Sequence, residues 1–362
     1  MKAAVLRAYN TPLEIEEVQL GDLGPREVRV RTVATGVCHS DLHVVEGSLP
    51  APPPTVLGHE PAGVVEEVGS DVSSVAVGDH VIGCLSAFCG SCDYCLTGRP
   101  NLCGGGATAR RPEEPPRISK GGELIHQFAH LSAFAEEMLV HENALVSIRK
   151  DMPLEQAALI GCGVTTGLGA ALKTAAIRPG ESAAVIGCGG VGLAAVQGCR
   201  IGGASRIIAI DTVPWKLELA QKLGATDVID ASTDSALMKV LELSGGGVDY
   251  AFECIGNPAT TTQSIGMVRK GGTAVMVGVV PLGQNVEIPG LDVVLQGKSI
   301  VGSMMGGNRF RLDMPRYVDF YLDGRLCLDE MISARLELDG VNDAFEKMKS
   351  GEVARSVIRF AS

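Results

Sequence analysis

The sequence predicts an α/β protein in which a doubly wound parallel sheet is joined to a second, β-rich domain. Three observations carry this expectation. From about residue 180, β-rich runs (SAAVIG, RIIAID, DVID, VDYAFE, TAVMVG) alternate with stretches of helical spacing such as WKLELAQKLGA. That rhythm belongs to parallel strands with helices on both faces. The first 150 residues read instead as short strands and loops, and after about 304 the pattern is mixed again, ending in the strand-like EVARSVIRF. The expected division is 1–163 for the β-rich domain, 164–303 for the α/β domain and 304–362 for a return to the first. A cleft between two such domains is a natural ligand site.

The opening strands justify the first domain. Val28, Val30 and Thr32 alternate with Arg29 and Arg31, as in a half-exposed strand. AGVVEEVGS and VGDHVIG are short β runs ended by glycine turns. RRPEEPPR, residues 110–117, has mixed charges and three prolines and reads as a solvated surface loop. With 362 residues, 46% hydrophobic and 20% charged, the chain can bury two ordinary globular cores. Its net charge of -11 argues against a nucleic-acid partner. The apolar runs are short and broken by glycine, which predicts no membrane span. The N-terminus, MKAAVLRAYN, lacks the pattern of a secretory signal, so a cytoplasmic location is expected.

The α/β domain opens on VIGCGGVGLAAVQ, in which Gly187, Gly189, Gly190 and Gly192 form a GxGGxG variant of the dinucleotide fingerprint. A β run precedes it, an apolar helical run follows, and the next β run ends at Asp211. Glycines let the backbone approach a pyrophosphate at a helix N-terminus. Asp211 can accept hydrogen bonds from an adenosine ribose and repels a 2′-phosphate, which favours NAD over NADP. The same glycines also suit a tight turn without a ligand. An aspartate at 211 also suits a helix cap, and that role is compatible with ribose binding.

Eleven cysteines in a chain without an export signal favour metal ligation or buried thiols over disulfides. Cys89, Cys92, Cys95 and Cys103 follow C-x2-C-x2-C-x7-C, a spacing that can close a tetrahedron around zinc. An iron–sulfur cluster or a disulfide pair also fits that spacing. Four thiolates leave a zinc ion little Lewis acidity and no open position, so this site would be structural. A chemical metal would need three ligands drawn from elsewhere. GVCHSDLH offers Cys38, His39, Asp41 and His43; VLGHEPAG offers His59 and Glu60; LIGCGVTTG offers Cys162. Cys38, His59 and Cys162 would make a Cys2His set suited to alcohol oxidation, although spacing alone does not join residues so far apart.

Taken together these residues resemble the zinc-dependent, medium-chain alcohol dehydrogenases, in their liver-type or bacterial aryl- and alkyl-alcohol branch. The resemblance spans essentially the whole chain in the same order: GVCHSD, GHEPAGVV, the four-cysteine lobe, GCGVTTG, GCGGVG and GEVARSVI. It implies a GroES-like catalytic domain formed by both chain ends, and a Rossmann domain. It implies NAD and two zinc ions per chain, with reversible hydride transfer between a primary aliphatic or aromatic alcohol and NAD. A glutathione adduct of formaldehyde is the alternative substrate, held by an arginine such as Arg110 or Arg111. A homodimer through the Rossmann sheets, or a tetramer, would follow.

Residue by residue, the resemblance assigns Cys38, His59 and Cys162 to the catalytic zinc and the other four cysteines to the structural one. Ser40 would take the alcohol's proton and His43 would pass it to solvent. Asp41 would orient His59, and Glu60 would stand behind the metal. His39 and Arg355 would contact the pyrophosphate, and Lys216 the adenosine ribose. Thr166 and Val191 would press on the nicotinamide. Leu49, Leu85, Phe128, Val279 and Met304 would line an apolar substrate pocket. His39 stands where many relatives carry arginine, so a weaker grip on the coenzyme is expected.

Overall fold

Val28, Val30 and Thr32 are buried, and Arg29 and Arg31 only partly so, along the strand Glu27–Val37 of the computed structural model, which describes residues 1–361. This strand is the spine of a seven-stranded sheet. Pro61–Val68 and Glu137–His141 pair with it, and so does Arg355–Arg359, antiparallel, with Ser356 opposite Val37. The C-terminal strand therefore completes a sheet begun by the N-terminal residues. Met1–Cys162 and the chain from Arg309 onward form one compact unit, and Gly163–Asn308 forms another.

In the second unit, Ser182–Ile186, Arg206–Asp211, Asp227–Asp230, Val248–Glu253, Val268–Met276 and Ser299–Gly302 form a six-stranded sheet. Every neighbouring pair is parallel. Taken in chain order from one to six, the strands lie 3-2-1-4-5-6 across the sheet. Such a doubly wound sheet binds ligands beyond the C-terminal ends of its strands, where the strand order reverses. GCGG and Asp211 stand at those ends. Ala184, Ile186, Ile208, Ile210 and Val248 pack into one core beneath the helices.

Two expectations are corrected. Leu154–Thr174 forms one continuous helical stretch, long and apolar enough to cross a membrane, yet 83% of its apolar window is buried inside the protein. Its glycines do not break it, because they sit where the helix is crowded. A Cβ on Gly161 would stand 3.1 Å from the Gly83 carbonyl, and one on Gly167 would overlap the Val191 carbonyl. Around Cys162 the helix widens into a π-turn, Ile160–Val164, a distortion frequent at functional sites.

RRPEEPPR, in turn, is not simply solvated. Arg117 is buried and its Nε donates to Glu27 Oε1 at 2.7 Å. Arg110 donates through Nε to the same oxygen at 2.9 Å, and through Nη1 to the Pro115 carbonyl at 2.7 Å. Glu27 is a buried carboxylate shared by two guanidiniums, a partner no local sequence pattern reveals.

That cluster sets an acid limit. Burial pushes the Glu27 carboxyl up, but Arg110 and Arg117 outweigh it and hold it at about 2, against an ordinary 4.5. A depressed folded-state pKa contributes stability that is complete above the unfolded value and is lost as pH falls through the folded one. The urea midpoint should therefore drop between about pH 4.5 and pH 2. Glu27→Gln should lower stability at pH 7 by about 3 kcal/mol, by leaving the buried Arg117 and the half-buried Arg110 without their shared carboxylate, and should flatten the midpoint over the acid window. A variant with the parent's pH profile would remove Glu27 as the cause.

Candidate active site

Cys38 ends the spine strand and starts the helix His39–Val45. Asp41, with no exposed surface, ties two ligands together. Its Oδ2 accepts the Cys38 N–H at 3.3 Å, and its Oδ1 lies 3.0 Å from His59 Nδ1 and accepts the Gly58 N–H at 3.0 Å. With Nδ1 on a carboxylate, His59 has Nε2 to offer a metal. That atom is buried and has no hydrogen-bond partner. Ligand atoms of Cys38, His59, Glu60 and Cys162 all lie within 4.8 Å of one another, and all four residues are buried. An orphaned imidazole nitrogen facing two thiols is the donor set zinc requires, so the residues fit the metal.

The electrostatics agree. The hydrogen bond from Cys162 drives the Cys38 thiol well below its ordinary value despite burial, and the same contact holds Cys162 well above. Burial opposes a charged His59, but Asp41 and Cys38 outweigh it and raise the imidazole. Burial pushes Glu60 up to about 7, against the pull of Arg355, whose Nη2 donates to Glu60 Oε2. A metal binding here displaces the protons that these groups hold in its absence.

Ser40 Oγ lies 3.8 Å from Cys38 Sγ. His43 is one turn further along the same helix and its ring is partly exposed, 4.0 Å from Glu46. His39 is exposed, with its ring 6.3 Å from that of His43. Phe128 stands edge-to-face against His59, with ring centroids 5.6 Å apart. Phe128 and Leu49 both pack on the core that holds Leu57 and Phe134, and Leu85 is half-buried.

The four-cysteine lobe is a second centre. Cys89 and Cys95 sulfurs are 3.9 Å apart, and those of Cys92 and Cys95 3.6 Å. A tetrahedral zinc with Zn–S bonds near 2.3 Å needs sulfurs about 3.8 Å apart. None of the four is in a disulfide. Backbone N–H groups of Ser91 and Cys92 donate to Cys89 Sγ, and that of Gly105 to Cys103 Sγ. The Ser91 contacts lower the Cys89 thiol to about 6, which favours the thiolate a metal needs.

In the second unit each glycine of the fingerprint has its own reason. Gly187 has φ +90°, and a Cβ there would meet Ile255 at 2.6 Å; at Gly192 a Cβ would overlap the Gly187 carbonyl. Gly189 is open, with nothing within 4 Å of a Cβ, and Gly190 begins the helix Gly190–Ile201. A closed turn beside an open backbone face at a helix N-terminus suits a pyrophosphate. Asp211 Oδ2 accepts the Cys188 N–H at 2.7 Å, and its Oδ1 accepts those of Thr212 and Val213 at 2.8 and 3.0 Å. It therefore caps the turn while still facing the cofactor loop. Lys216 lies over the Trp215 ring. Thr166 donates to Met305 Sδ at 3.3 Å on the helix that Gly167 seats against Val191. Val279 and Met304 are exposed on this unit. Glu253, fully buried, accepts from Ile255, Gly256 and Thr260 and so fixes the neighbouring loop. The sequence does not single out Glu253, because its partners come from a loop with no motif of its own.

Comparison with known proteins agrees with both units. Residues 24–150 match the alcohol dehydrogenase GroES-like domain, and residues 190–323 match the zinc-binding dehydrogenase domain. The chain is 40% identical over 372 residues to an alcohol dehydrogenase class-3 of Drosophila melanogaster, covering 99% of this chain and 97% of that protein. It is 40% identical over 367 residues to an S-(hydroxymethyl)glutathione dehydrogenase of Escherichia coli O1:K1 / APEC, covering 99% of each. The crystal structure of benzyl alcohol dehydrogenase from Acinetobacter calcoaceticus superposes with a TM-score of 0.94 at 34% identity, again over 99% of each chain. Two thiols and an orphaned imidazole in a GroES-like unit, a doubly wound sheet and full-length likeness converge: the chain belongs to the zinc-dependent medium-chain alcohol dehydrogenases, oxidoreductases that use NAD.

Proposed function

We propose that the protein oxidises apolar primary alcohols, aliphatic or aromatic, to aldehydes with NAD, and runs the reverse reaction with NADH. The observation that carries this is Phe128, whose ring edges against His59 and sets an apolar surface beside that ligand. Cys38, His59 and Cys162 would hold the zinc, which would supply Lewis acidity there. In this reading Ser40, whose Oγ is 3.8 Å from Cys38 Sγ, takes the hydroxyl proton, and the partly exposed His43 hands it to solvent. Asp41 keeps the His59 tautomer, while Arg355 and His39 contact the pyrophosphate and Lys216 the adenosine ribose. In this reading Thr166 and Val191 orient the nicotinamide, and Leu85, Val279 and Met304 are assigned to substrate contacts.

A second reading is favoured by the relatives named for S-(hydroxymethyl)glutathione. Against it, Arg110 is committed to Glu27 and the Pro115 carbonyl, which leaves the exposed Arg111 to hold a glutathione carboxylate. NADH formation at 340 nm separates the two. Hexanol and benzyl alcohol should support turnover without a thiol; a rate that appears only with glutathione plus formaldehyde would replace the first reading with the second.

A homodimer through the second unit's sheet is part of the proposal. Helix Gly290–Gln296 exposes Leu291, Val294 and Leu295 beside the edge strand Ser299–Gly302, which among the described residues pairs only with Val268–Met276. Such edges invite a second copy, and a monomeric mass by light scattering would refute it. None of the eleven cysteines is in a disulfide, which is compatible with a reducing, cytoplasmic location.

A further inference from the structure

Glu60 has no exposed surface, and its carboxylate stands within 4.8 Å of the ligand atoms of Cys38, His59 and Cys162. Its Oε2 accepts from Nη2 of Arg355, itself buried. One side of this ion pair lies against Gly36 of the spine strand. A Cβ built on Gly36 would overlap Glu60 Oε2 and stand 2.9 Å from Arg355 Nη2 and 3.1 Å from Glu60 Cδ. On another side, a Cβ on Gly161 would come within 3.2 Å of Glu60 Cα. The glutamate is thus flanked by two glycines, one two residues before ligand Cys38 and the other adjacent to ligand Cys162.

The backbone at Gly36 has no need of glycine. It lies in the strand Glu27–Val37, its φ is not in the left-handed region, and its N–H donates to the Glu60 carbonyl at 3.1 Å. Alanine could adopt the same conformation, and glycine inside a strand is the less favourable residue. The three heavy atoms nearest a side chain there would all belong to the ion pair.

We propose that Gly36 is a positioning residue of the metal centre: its missing side chain opens the slot that the Glu60–Arg355 pair fills, and so sets where the carboxylate stands beside the three ligands. The inference rests on the assignment of Cys38, His59 and Cys162 to the catalytic metal. It predicts a size relation between residues 36 and 60. A methyl group at 36 displaces a glutamate at 60, whereas an aspartate, shorter by one methylene, leaves room for it.

Gly36→Ala, Glu60→Asp and the double variant test this in the full chain, loaded with zinc or with cobalt in the catalytic site. The readouts are the cobalt d–d absorption and the rate at which a chelator removes each metal. Gly36→Ala should change the spectrum and speed the loss of one of the two metals by about tenfold or more, the scale on which groups behind metal ligands act. The double variant should return both readouts toward the parent, a non-additive coupling of neighbours. A parent-like spectrum and release rate in Gly36→Ala would overturn the proposal, as would a double variant equal to the sum of its singles. If Gly36→Ala fails to fold, a double variant that folds and holds two metals supports the slot, and one that stays unfolded refutes it. A parent protein that holds only the lobe metal would bring down the metal assignment itself, and this inference with it.

Discussion

Cys38→Ser protein should fold, carry one zinc per chain instead of two, and turn over alcohol at least about a thousandfold more slowly, because the Lewis acidity lost is worth several kcal/mol. Serine nearly preserves the volume and keeps the backbone N–H that donates to Asp41. Its hydroxyl stays protonated at neutral pH and cannot replace a thiolate, so the site is left with one thiolate and one imidazole. The four-cysteine lobe has its own ligands and its own backbone N–H···S contacts, so its metal should stay. Zinc analysis and initial rates on the same sample decide the matter. Two zinc ions with a rate near the parent's would mean that the chemical metal is held elsewhere.

Asp211→Gly should invert the coenzyme preference, with kcat/KM for NADP rising relative to NAD by about a hundredfold or more. A hydrogen bond from a charged group contributes roughly 1.5–3 kcal/mol, and the repulsion of a 2′-phosphate disappears with the carboxylate. The structure adds a cost to this change. Asp211 accepts three backbone N–H groups, from Cys188, Thr212 and Val213. Removing it should therefore lower stability by about 1–3 kcal/mol, seen as a lower unfolding midpoint. An unchanged ratio of the two kcat/KM values would remove Asp211 as the selector.

The elements that sequence patterns reveal are those whose signal is local. SAAVIG, RIIAID, DVID and VDYAFE become strands of one parallel sheet, and WKLELAQKLGA falls on the helix Pro214–Leu223. Edge strand Ser299–Gly302 escapes notice because it is short and half-exposed, with no alternation to mark it. Leu154–Thr174 looks broken because glycine in a helix is a local cost, whereas its justification is the backbone crowding its glycines relieve. RRPEEPPR looks solvated because the partner of its arginines, Glu27, lies far away in the chain.

The sequence by itself determined the fold class, the dinucleotide turn and the four-cysteine lobe, for each is written in residues close together whose spacing already limits the geometry. The family resemblance already assigns Cys38, His59 and Cys162 to one metal and Asp41 to His59; the tertiary structure adds that they meet at one buried point, that Asp41 also accepts from Cys38, and that Glu60 and Arg355 fit against Gly36. Those residues come from the ends of different strands and a π-turn, and a sheet that pairs residue 37 with residue 356 brings together groups that no local pattern relates.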